Sequence, residues 1–251
     1  MARMREYRPR LDGAKIKAFQ RRLLRWFRRF GRDLPWRRTR DPYEILVSEV
    51  MLQQTQVDRV REFYGRFLQE YPTVQDLAAA RPARVRESWD GLGYYARARN
   101  LHAAARTIMR QHQGRFPRRL DDVLALPGVG RYTAGAVVSF AYGEPAPILD
   151  TNVRRVLSRF FVRRRTTSPA KEERRLWALA EAVLPEGDAW TMNQALMDLG
   201  ATVCTARNPR CGECPVRMLC AYYGRGASAS NCLKIRECTV SEVALRGARS
   251  G

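Results

Sequence analysis

Leu126-Pro127-Gly128-Val129-Gly130-Arg131-Tyr132 is the stretch that decides the fold, because it joins two segments of helical periodicity through a Gly-x-Gly turn. Such a turn, placed before a helix, exposes backbone N–H groups that can hold a phosphate. It is neither a dinucleotide fingerprint nor a P-loop, since no strand pattern precedes it and Gly-Lys-Ser/Thr is absent. The plain alternative is a glycine turn without a ligand. Together with a net charge of +21, the pattern predicts a helix–hairpin–helix that binds nucleic acid.

The pattern on both sides of this turn is helical. In 16–30, apolar residues recur at steps of three and four, with arginines on the opposite face. Ser168-Pro169 is typical of an N-cap followed by a proline in the first turn. Glycine and proline separate the further helical segments, at 43–56, 58–70, 74–79, 83–90, 95–113, 119–125, 131–142, 151–162, 169–184 and 189–203. Because no window alternates as a strand does, the expected fold class is all-α.

The charge of the chain indicates a polyanionic partner. There are 46 Lys and Arg against 25 Asp and Glu, and only four of the cations are lysines. Residues 1–40 alone carry 15 basic and 3 acidic side chains, a net of +12. Such a field favours nucleic acid first and an anionic membrane surface second, while the plain alternative is a solvated surface.

The sequence has no stretch near the ~20 apolar residues of a membrane span. It also has no apolar signal region after its basic N-terminus. We therefore expect a soluble intracellular protein of the cytoplasm, associated with the nucleoid, that does not bind membranes. We expect it to act as a monomer.

Only two histidines, His102 and His112, are present, which excludes three-histidine metal sites and leaves little material for a serine triad. Acid–base chemistry must then rest on carboxylates, tyrosines or a metal. Glu49 lies among apolar neighbours in a helical segment, where burial would raise its pKa; the alternative is an exposed charge on an amphipathic helix. Asp150 follows an apolar run and starts a helical segment, so it is a candidate site residue or an N-cap.

Four cysteines form the pattern Cys204-x6-Cys211-x2-Cys214-x5-Cys220. Without a signal peptide disulfides are not expected, so these thiolates should bind a metal. Structural zinc and an iron–sulfur cluster both take four cysteines. A single Cys-x2-Cys pair within one loop favours the cluster over zinc. Two more cysteines lie in 224–251, a segment without periodicity that we expect to be a flexible tail with unpaired thiols: Cys232 and Cys238.

Several motifs together resemble one family, and they occur in that family's order over about residues 15–222. They are Leu-Pro-Trp-Arg at 34–37, Ser-Glu-Val-Met-Leu-Gln-Gln-Thr-Gln-Val at 48–57, Gly-Leu-Gly-Tyr-Tyr-Ala-Arg-Ala-Arg-Asn-Leu at 91–101, the hairpin, Asp150-x-Asn152-Val153 and the four-cysteine spacing. The chain resembles the MutY-type adenine DNA glycosylases of the helix–hairpin–helix superfamily, which also contains endonuclease III.

This resemblance implies a 4Fe–4S cluster on the four cysteines and a base-flipping cleft between two domains. It implies a six-helix barrel with the helix–hairpin–helix at 35–142. It assigns 1–34 and 143–223 to a second helical domain with the cluster loop, followed by the tail at 224–251. The partner that it implies is double-stranded DNA containing a mispair.

The resemblance also implies a role for each site residue. Glu49 would be the general acid that protonates the flipped base, and Asp150 would stabilise the oxocarbenium-like sugar. Tyr132 and Asn152 would orient these groups. The residues expected to contact the base or the DNA are Trp36, Arg37, Gln53, Gln54, Tyr94, Gly128, Gly130 and Arg131. Because Tyr132 stands where bifunctional relatives carry a nucleophilic lysine, we expect base removal without efficient strand cutting.

Two departures from the family pattern bear on which base is removed. Only 31 residues follow Cys220, so we expect the C-terminal domain that reads 8-oxoguanine to be absent. Thr151 stands where the family usually has glycine. The sequence favours adenine opposite guanine or 8-oxoguanine as the substrate. The alternatives are thymine or uracil opposite guanine and, as a minor one, a non-catalytic mispair-binding module.

Overall fold

The computed structural model describes residues 12–162 and 168–225. Every regular element in these two ranges is a helix and neither contains a strand, which confirms the all-α fold class. The α-helices, numbered in chain order, are α1 Gly13–Phe30, α2 Pro42–Leu52, α3 Val57–Glu70, α4 Val74–Ala79, α5 Pro82–Glu87, α6 Ala96–Gln111, α7 Leu120–Leu124, α8 Arg131–Tyr142, α9 Thr151–Phe161, α10 Pro169–Ala182 and α11 Ala189–Asp198. The described part of the chain contains no helix long and apolar enough to cross a membrane.

Capping side chains fix where several helices begin. Asp41 Oδ1 accepts the backbone N–H of Tyr43 at 2.7 Å and so starts α2, with Pro42 in the first turn. Ser168 caps α10 ahead of Pro169, which confirms that prediction. Both caps satisfy backbone donors that have no partner inside the helix.

Two predicted helices end earlier than the sequence pattern indicates. The segment 43–56 stops at Leu52, because Gln54 adopts a left-handed backbone conformation (φ +58°) that interrupts an α-helix. The segment 189–203 is α-helical only to Asp198, and Leu199–Val203 forms a π-helical turn. Such turns are frequent at functional sites, and this one leads directly into the first cysteine of the four-cysteine pattern.

The helices surround one continuous apolar core. Helix α2 lies at its centre: it packs against α3, α6 and α8, and every residue from Ile45 to Met51 is buried. Helix α1 packs against α11 and buries Phe19, Leu23 and Phe27, while its arginines stay exposed. The boundaries expected for two domains stay a prediction.

The helix–hairpin–helix lies where the sequence predicts it. Helices α7 and α8 pack against each other and are joined by the glycine turn. Gly128 has φ +74°, and a Cβ there would lie 2.5 Å from Asn100 Cβ, so both the conformation and the space require glycine. Helix α8 starts at Gly130 without a side-chain cap, which leaves its first N–H groups available to an anion.

Of the segment predicted as a tail, 224–251, the structure describes only Gly224 and Arg225. They belong to a 3-10 turn, and the Gly224 N–H donates to the Cys220 carbonyl at 3.1 Å. Cys232 and Cys238 lie outside the described residues, as do the first eleven residues of the basic N-terminal region.

Candidate active site

A cavity of about 620 Å³ opens between α2, α8, α9 and α11. Its wall joins side chains that are far apart in the sequence: Glu49 from α2, Tyr132 from α8, and Asp150 and Asn152 from the start of α9. Convergent polar groups in a concave site are typical of enzyme active sites. The four residues assigned to catalysis by the resemblance therefore share one cavity.

Glu49 is the buried acid of this cavity. It has 4% of its surface exposed, and its Oε2 has no hydrogen-bond partner among the residues that the structure describes. Burial raises the pKa of Glu49 to about 7; Asp150 adds to the rise, whereas Tyr132 and Arg37 oppose it. The alternative from the sequence, an exposed charge on an amphipathic helix, is wrong. Glu49 is therefore able to carry a proton near neutral pH.

Tyr132 lies beside this acid. Its hydroxyl is close enough to Glu49 to stabilise the ionised carboxylate. In the structure, however, Tyr132 Oη donates its hydrogen bond to Met197 Sδ, at 3.5 Å. Sulfur is a weak acceptor, so the hydroxyl is free to turn to Glu49 or to a bound molecule. Burial, together with Glu49 and Asp150, raises the pKa of Tyr132 well above its ordinary value, which keeps the phenol a hydrogen-bond donor.

Asp150 is both an N-cap and a cavity residue, so the two alternatives from the sequence do not exclude each other. Its Oδ1 accepts the Val153 N–H at 2.6 Å, and its Oδ2 accepts a hydrogen bond from Asn152 Nδ2 at 3.0 Å. Burial raises the pKa of Asp150, and these hydrogen bonds oppose the rise. The positive end of the α9 dipole further favours the anion. The cavity thus holds one carboxylate, Asp150, that accepts two hydrogen bonds, and one buried carboxyl, Glu49, whose pKa burial raises to about 7.

Asn152 is oriented from its other side by Arg155. Its Oδ1 accepts a hydrogen bond from Arg155 Nη2 at 2.6 Å, which directs the amide nitrogen to Asp150. Arg155 also donates to the carbonyls of Gly200 (2.8 Å) and Cys204 (2.6 Å). A Cβ on Gly200 would lie 2.6 Å from Asn152 Cβ, so the close approach of the π-helical turn requires glycine. These contacts fix the orientation of the amide that serves Asp150.

The anchor of Arg37 was not found from the sequence. Arg37 donates both terminal nitrogens to Asp198, at 2.8 and 2.9 Å, and Arg32 donates to the same carboxylate. Asp198 is fully buried; burial raises its pKa, but the two arginines outweigh burial and the net shift is downward. Both Arg37 and Trp36 border the cavity. The guanidinium of Arg37 forms an ion pair with Asp198.

Two further cavity residues on α11 were missed by sequence reasoning. Gln194 has 3% of its surface exposed, borders the cavity, and has no hydrogen-bond partner for its Oε1. Met197 borders the cavity and supplies the sulfur that Tyr132 contacts. In the sequence both belong to the apolar periodicity of 189–203, which indicates core packing. Periodicity alone therefore carries no signal for a site role here.

Three of the residues expected to contact DNA lie in two turns. Gln53 and Gln54 border the cavity in the turn after α2. Tyr94 lies in the turn before α6, where 61% of its surface is exposed and its backbone is left-handed (φ +50°). An aromatic side chain exposed on a turn is suited to entering a base stack.

The remaining candidates belong to the hairpin. Gly128 and Gly130 present backbone amides at the start of α8, as described above. Arg131 is turned away from the cavity: its guanidinium lies 3.8 Å from the centroid of the Trp177 ring on α10. The contact of Arg131 with DNA stays a prediction.

The four cysteines of the pattern lie together in one loop. Burial raises the pKa of Cys214 to about 12, and the other three thiols add to the rise, so all four are in electrostatic reach of one another. Arg159 Nη1 contacts Cys204 Sγ at 3.5 Å, a cation suited to offset thiolate charge. Among the described residues, no three ligand side chains are gathered closely enough to hold a single metal ion. A donor set of four thiols beside a guanidinium fits an iron–sulfur cluster.

Comparison with known proteins identifies the class to which this fold and cavity belong. Residues 47–182 match the family model described as HhH-GPD superfamily base excision DNA repair protein. Residues 204–220 match the iron–sulfur binding domain of endonuclease III, which confirms the predicted 4Fe–4S cluster. The chain belongs to the HhH-GPD superfamily of base excision DNA repair proteins.

Within this superfamily, its sequence is similar to adenine DNA glycosylases. The human adenine DNA glycosylase is 44% identical over 218 residues, which cover 83% of this chain and 40% of that protein. The Mycobacterium tuberculosis adenine DNA glycosylase is 45% identical over 211 residues, 83% of this chain and 69% of that protein. The chain spans 40–47% of the length of the mammalian relatives. A solved structure, that of a thermostable thymine-DNA glycosylase, matches with a TM-score of 0.77 and 34% identity over 84% of this chain and 98% of that chain.

The cluster leads to a first prediction. We expect the purified protein to contain iron and acid-labile sulfide in equal amounts, about four of each per chain. Cys214→Ser removes a buried thiol from the loop and should leave protein with little iron. Cys238→Ser, which lies outside the pattern, is the matched control and should keep the full content. Metal analysis that finds stoichiometric zinc and no iron would contradict the cluster.

Proposed function

We propose that this chain is a monofunctional DNA glycosylase that acts as a monomer on double-stranded DNA and removes adenine mispaired with guanine or 8-oxoguanine. The observation that carries the proposal is the pair of carboxyls in one cavity: Glu49, buried and with a pKa raised to about 7, and Asp150, an acceptor of two hydrogen bonds. Cleavage of an N-glycosidic bond calls for one neutral acid and one ionised carboxylate, because the sugar becomes cationic as the base leaves.

Glu49 supplies the proton to the base. An extruded base that enters the cavity meets a buried carboxylic acid whose Oε2 has no competing partner. Adenine has ring nitrogens that accept a proton, and a protonated base leaves more easily, whereas thymine has no basic ring nitrogen. The Tyr132 hydroxyl then stabilises the Glu49 carboxylate that remains. This proton transfer supports adenine as the leaving base.

Asp150 stabilises the sugar. As the bond between C1′ and the base nitrogen breaks, its electron pair leaves with the protonated base, and positive charge develops on the sugar. The Asp150 carboxylate, held by Asn152 and the start of α9, is an ionised group positioned to offset that charge. A water molecule then adds its oxygen to C1′, and its released proton restores the acid. The products are free adenine and an abasic sugar.

The DNA contacts follow from charge and from the hairpin. The net charge of +21 and the uncapped start of α8 support binding of the phosphate backbone. When bound, the cluster cross-links the four thiolates of its loop and so fixes that loop. Among the described residues no lysine borders the cavity, which supports hydrolysis of the base without strand cutting.

Removal of thymine or uracil opposite guanine is the second candidate. The likeness to the thermostable thymine-DNA glycosylase favours it, since that structure covers 84% of this chain. Thr151, which departs from the adenine-type pattern beside Asp150, favours it as well. The adenine-type sequence Gln53-Gln54-Thr55-Gln56 and the identity to adenine DNA glycosylases favour the first candidate.

A panel of duplexes, assayed under single-turnover conditions, tests the proposal. Adenine opposite guanine or 8-oxoguanine should be removed, and thymine or uracil opposite guanine should react at least about 100-fold more slowly. Asp150→Asn, assayed on the same panel, shows whether any activity arises in this cavity. If thymine or uracil is removed faster than adenine, the first proposal is wrong and the second candidate function is supported. Binding of mispairs without removal of any base would leave only the non-catalytic module.

A further inference from the structure

A buried arginine, Arg97, holds the turn that carries the two glutamines. Arg97 lies in the first turn of α6 and has 8% of its surface exposed. Its Nη1 donates to the carbonyls of Val50, Met51 and Gln53 at 2.9, 2.7 and 2.6 Å, and its Nη2 donates to Thr55 Oγ1 at 3.1 Å. Carbonyls at the end of a helix have no partner inside it and carry partial negative charge. The guanidinium therefore caps the C-terminus of α2 and fixes the start of the following turn.

The same guanidinium holds the turn that carries Tyr94. Arg97 Nη2 donates to the carbonyls of Leu92 and Gly93, at 3.1 Å each. The Trp89 indole nitrogen donates to the Gly93 carbonyl as well, at 3.2 Å. The guanidinium carbon also lies 5.5 Å from the centroid of the Tyr94 ring, within the range of a cation–π contact. One side chain thus binds two turns that are about forty residues apart in the sequence.

The carbonyls that Arg97 binds include the two that directly precede the left-handed residues. Gln53 precedes Gln54 (φ +58°), and Gly93 precedes Tyr94 (φ +50°). Residues with a side chain rarely adopt this conformation, and it persists only where the surroundings impose it. A hydrogen bond to the preceding carbonyl fixes the plane of the peptide that enters the left-handed residue. Arg97 is therefore the shared constraint on both conformations.

In the described part of the chain, no carboxylate forms an ion pair with Arg97. Burial lowers the pKa of Arg97. Among the described residues, Tyr94 is the one group that opposes this shift. The cation is held by five backbone carbonyls and one hydroxyl, which belong to the two turns and to the end of α2. If either turn moved away, the buried guanidinium would lose hydrogen-bond acceptors, which costs free energy. Each turn therefore stabilises the other through Arg97.

We propose that Arg97 is a positioning residue that couples the Gln53–Gln54 turn to the Gly93–Tyr94 turn, so that Gln54 and Tyr94 enter the duplex as one rigid unit. The effect on base extrusion rests on the proposed function. The coupling between the two turns does not, because it is a property of the DNA-free protein. Both side chains are exposed, on turns that meet at one buried group. Both turns are then already ordered before DNA binds, so neither has to become ordered when a base is extruded.

Amide hydrogen exchange of the DNA-free protein tests the coupling. Thr55→Val removes the hydroxyl of the glutamine turn that accepts a hydrogen bond from Arg97 Nη2. It should raise exchange by about threefold in a peptide covering 91–96 as well as in its own turn. Arg97→Lys should raise exchange more strongly in both turns. Arg106→Lys, the same exchange on the same helix but remote from both turns, is the matched control and should change neither. A response to Thr55→Val confined to residues 52–56 would overturn the coupling.

Excision assays then test the consequence. Under single-turnover conditions Arg97→Lys should slow base removal by about 100-fold, the usual effect of misplacing a reacting pair by an ångström. Its dissociation constant for the mispaired duplex should change by less than about threefold, because Arg97 is buried and contacts no phosphate. Fluorescence of 2-aminopurine placed as the target base should show reduced unstacking. A loss of affinity in proportion to the loss of rate would overturn the positioning role.

These measurements separate the inference from the proposed function. If the wild-type protein removes no base, the proposed function fails, while the exchange result still supports or overturns the coupling. If the wild-type protein removes adenine and Arg97→Lys does so at the same rate, the inference alone is wrong. Iron content, measured on each variant, verifies that the fold is retained.

Discussion

Glu49→Gln should lower the single-turnover rate of adenine removal by about 10³-fold, within the range for loss of a general acid. The substitution keeps the shape of the side chain but removes the proton that titrates near pH 7. Binding of the mispaired duplex should persist, since Glu49 lies in the cavity wall and not on the exposed surface. For the wild type, the rate should fall as the pH rises above about 7, because the acid is then ionised.

The same variant should be more stable than the wild type at alkaline pH. The pKa of Glu49 is 4.5 in an ordinary setting and about 7 in the fold. Between these values the folded protein binds a proton that the unfolded chain has released, so the free energy of unfolding decreases as the pH rises from 4.5 to 7 and is flat above. The decrease is at most about 3 kcal/mol. Glutamine removes it, so Glu49→Gln should melt several degrees higher than the wild type at pH 8.

Opposite changes in rate and stability distinguish a catalytic acid from a structural one. Glu44→Gln, in the first turn of the same helix and outside the cavity, is the control and should change neither quantity by much. If Glu49→Gln keeps a rate near that of the wild type, the proton comes from another group. If it is instead less stable at pH 8, the carboxylate of Glu49 has a partner that the fold depends on.

The helices and the hairpin could be predicted from the sequence because their causes are local. Proline, glycine and capping residues mark the ends of most helices, as at Ser168-Pro169 and Gly143. The turn at Gln53–Gln54 could not be predicted in this way. Its residues are compatible with helix, and the side chain that binds the carbonyls at this helix end is Arg97, some forty residues further along the chain. A boundary set by a distant side chain leaves no local signal.

The candidate site likewise contains residues that the sequence predicts and residues that it does not. Glu49 and Asp150 are candidates from their local sequence, the family motifs add Tyr132 and Asn152, and the fold brings all four to one cavity. Residues of α11 were not found. Their side chains serve the cavity from positions that also suit a buried helix face, and Asp198, although charged, is paired with arginines from another segment. Such pairing is visible only in three dimensions.

The second large effect concerns strand cutting. Wild-type protein should give no covalent adduct with an abasic duplex in the presence of borohydride, because a phenol at position 132 cannot form an imine with the sugar C1′. Tyr132→Lys should give a strong adduct. Tyr132 borders the cavity together with Asp150, so the new amine would lie where the sugar binds. An abasic duplex as substrate makes the result independent of base removal.

Arg131→Lys provides the matched control, because it places an amine one residue away on the same helix. The side chain at position 131 lies over Trp177 and outside the cavity, so this lysine should trap no DNA. Attack on C1′ requires the amine within bonding reach of the sugar, which proximity in sequence does not supply. Equal trapping by both variants would mean that the adduct forms at the surface. Absence of trapping by Tyr132→Lys, in protein that still contains iron and binds the duplex, would mean that the sugar does not reach position 132 and that the cavity is not the site of the reaction.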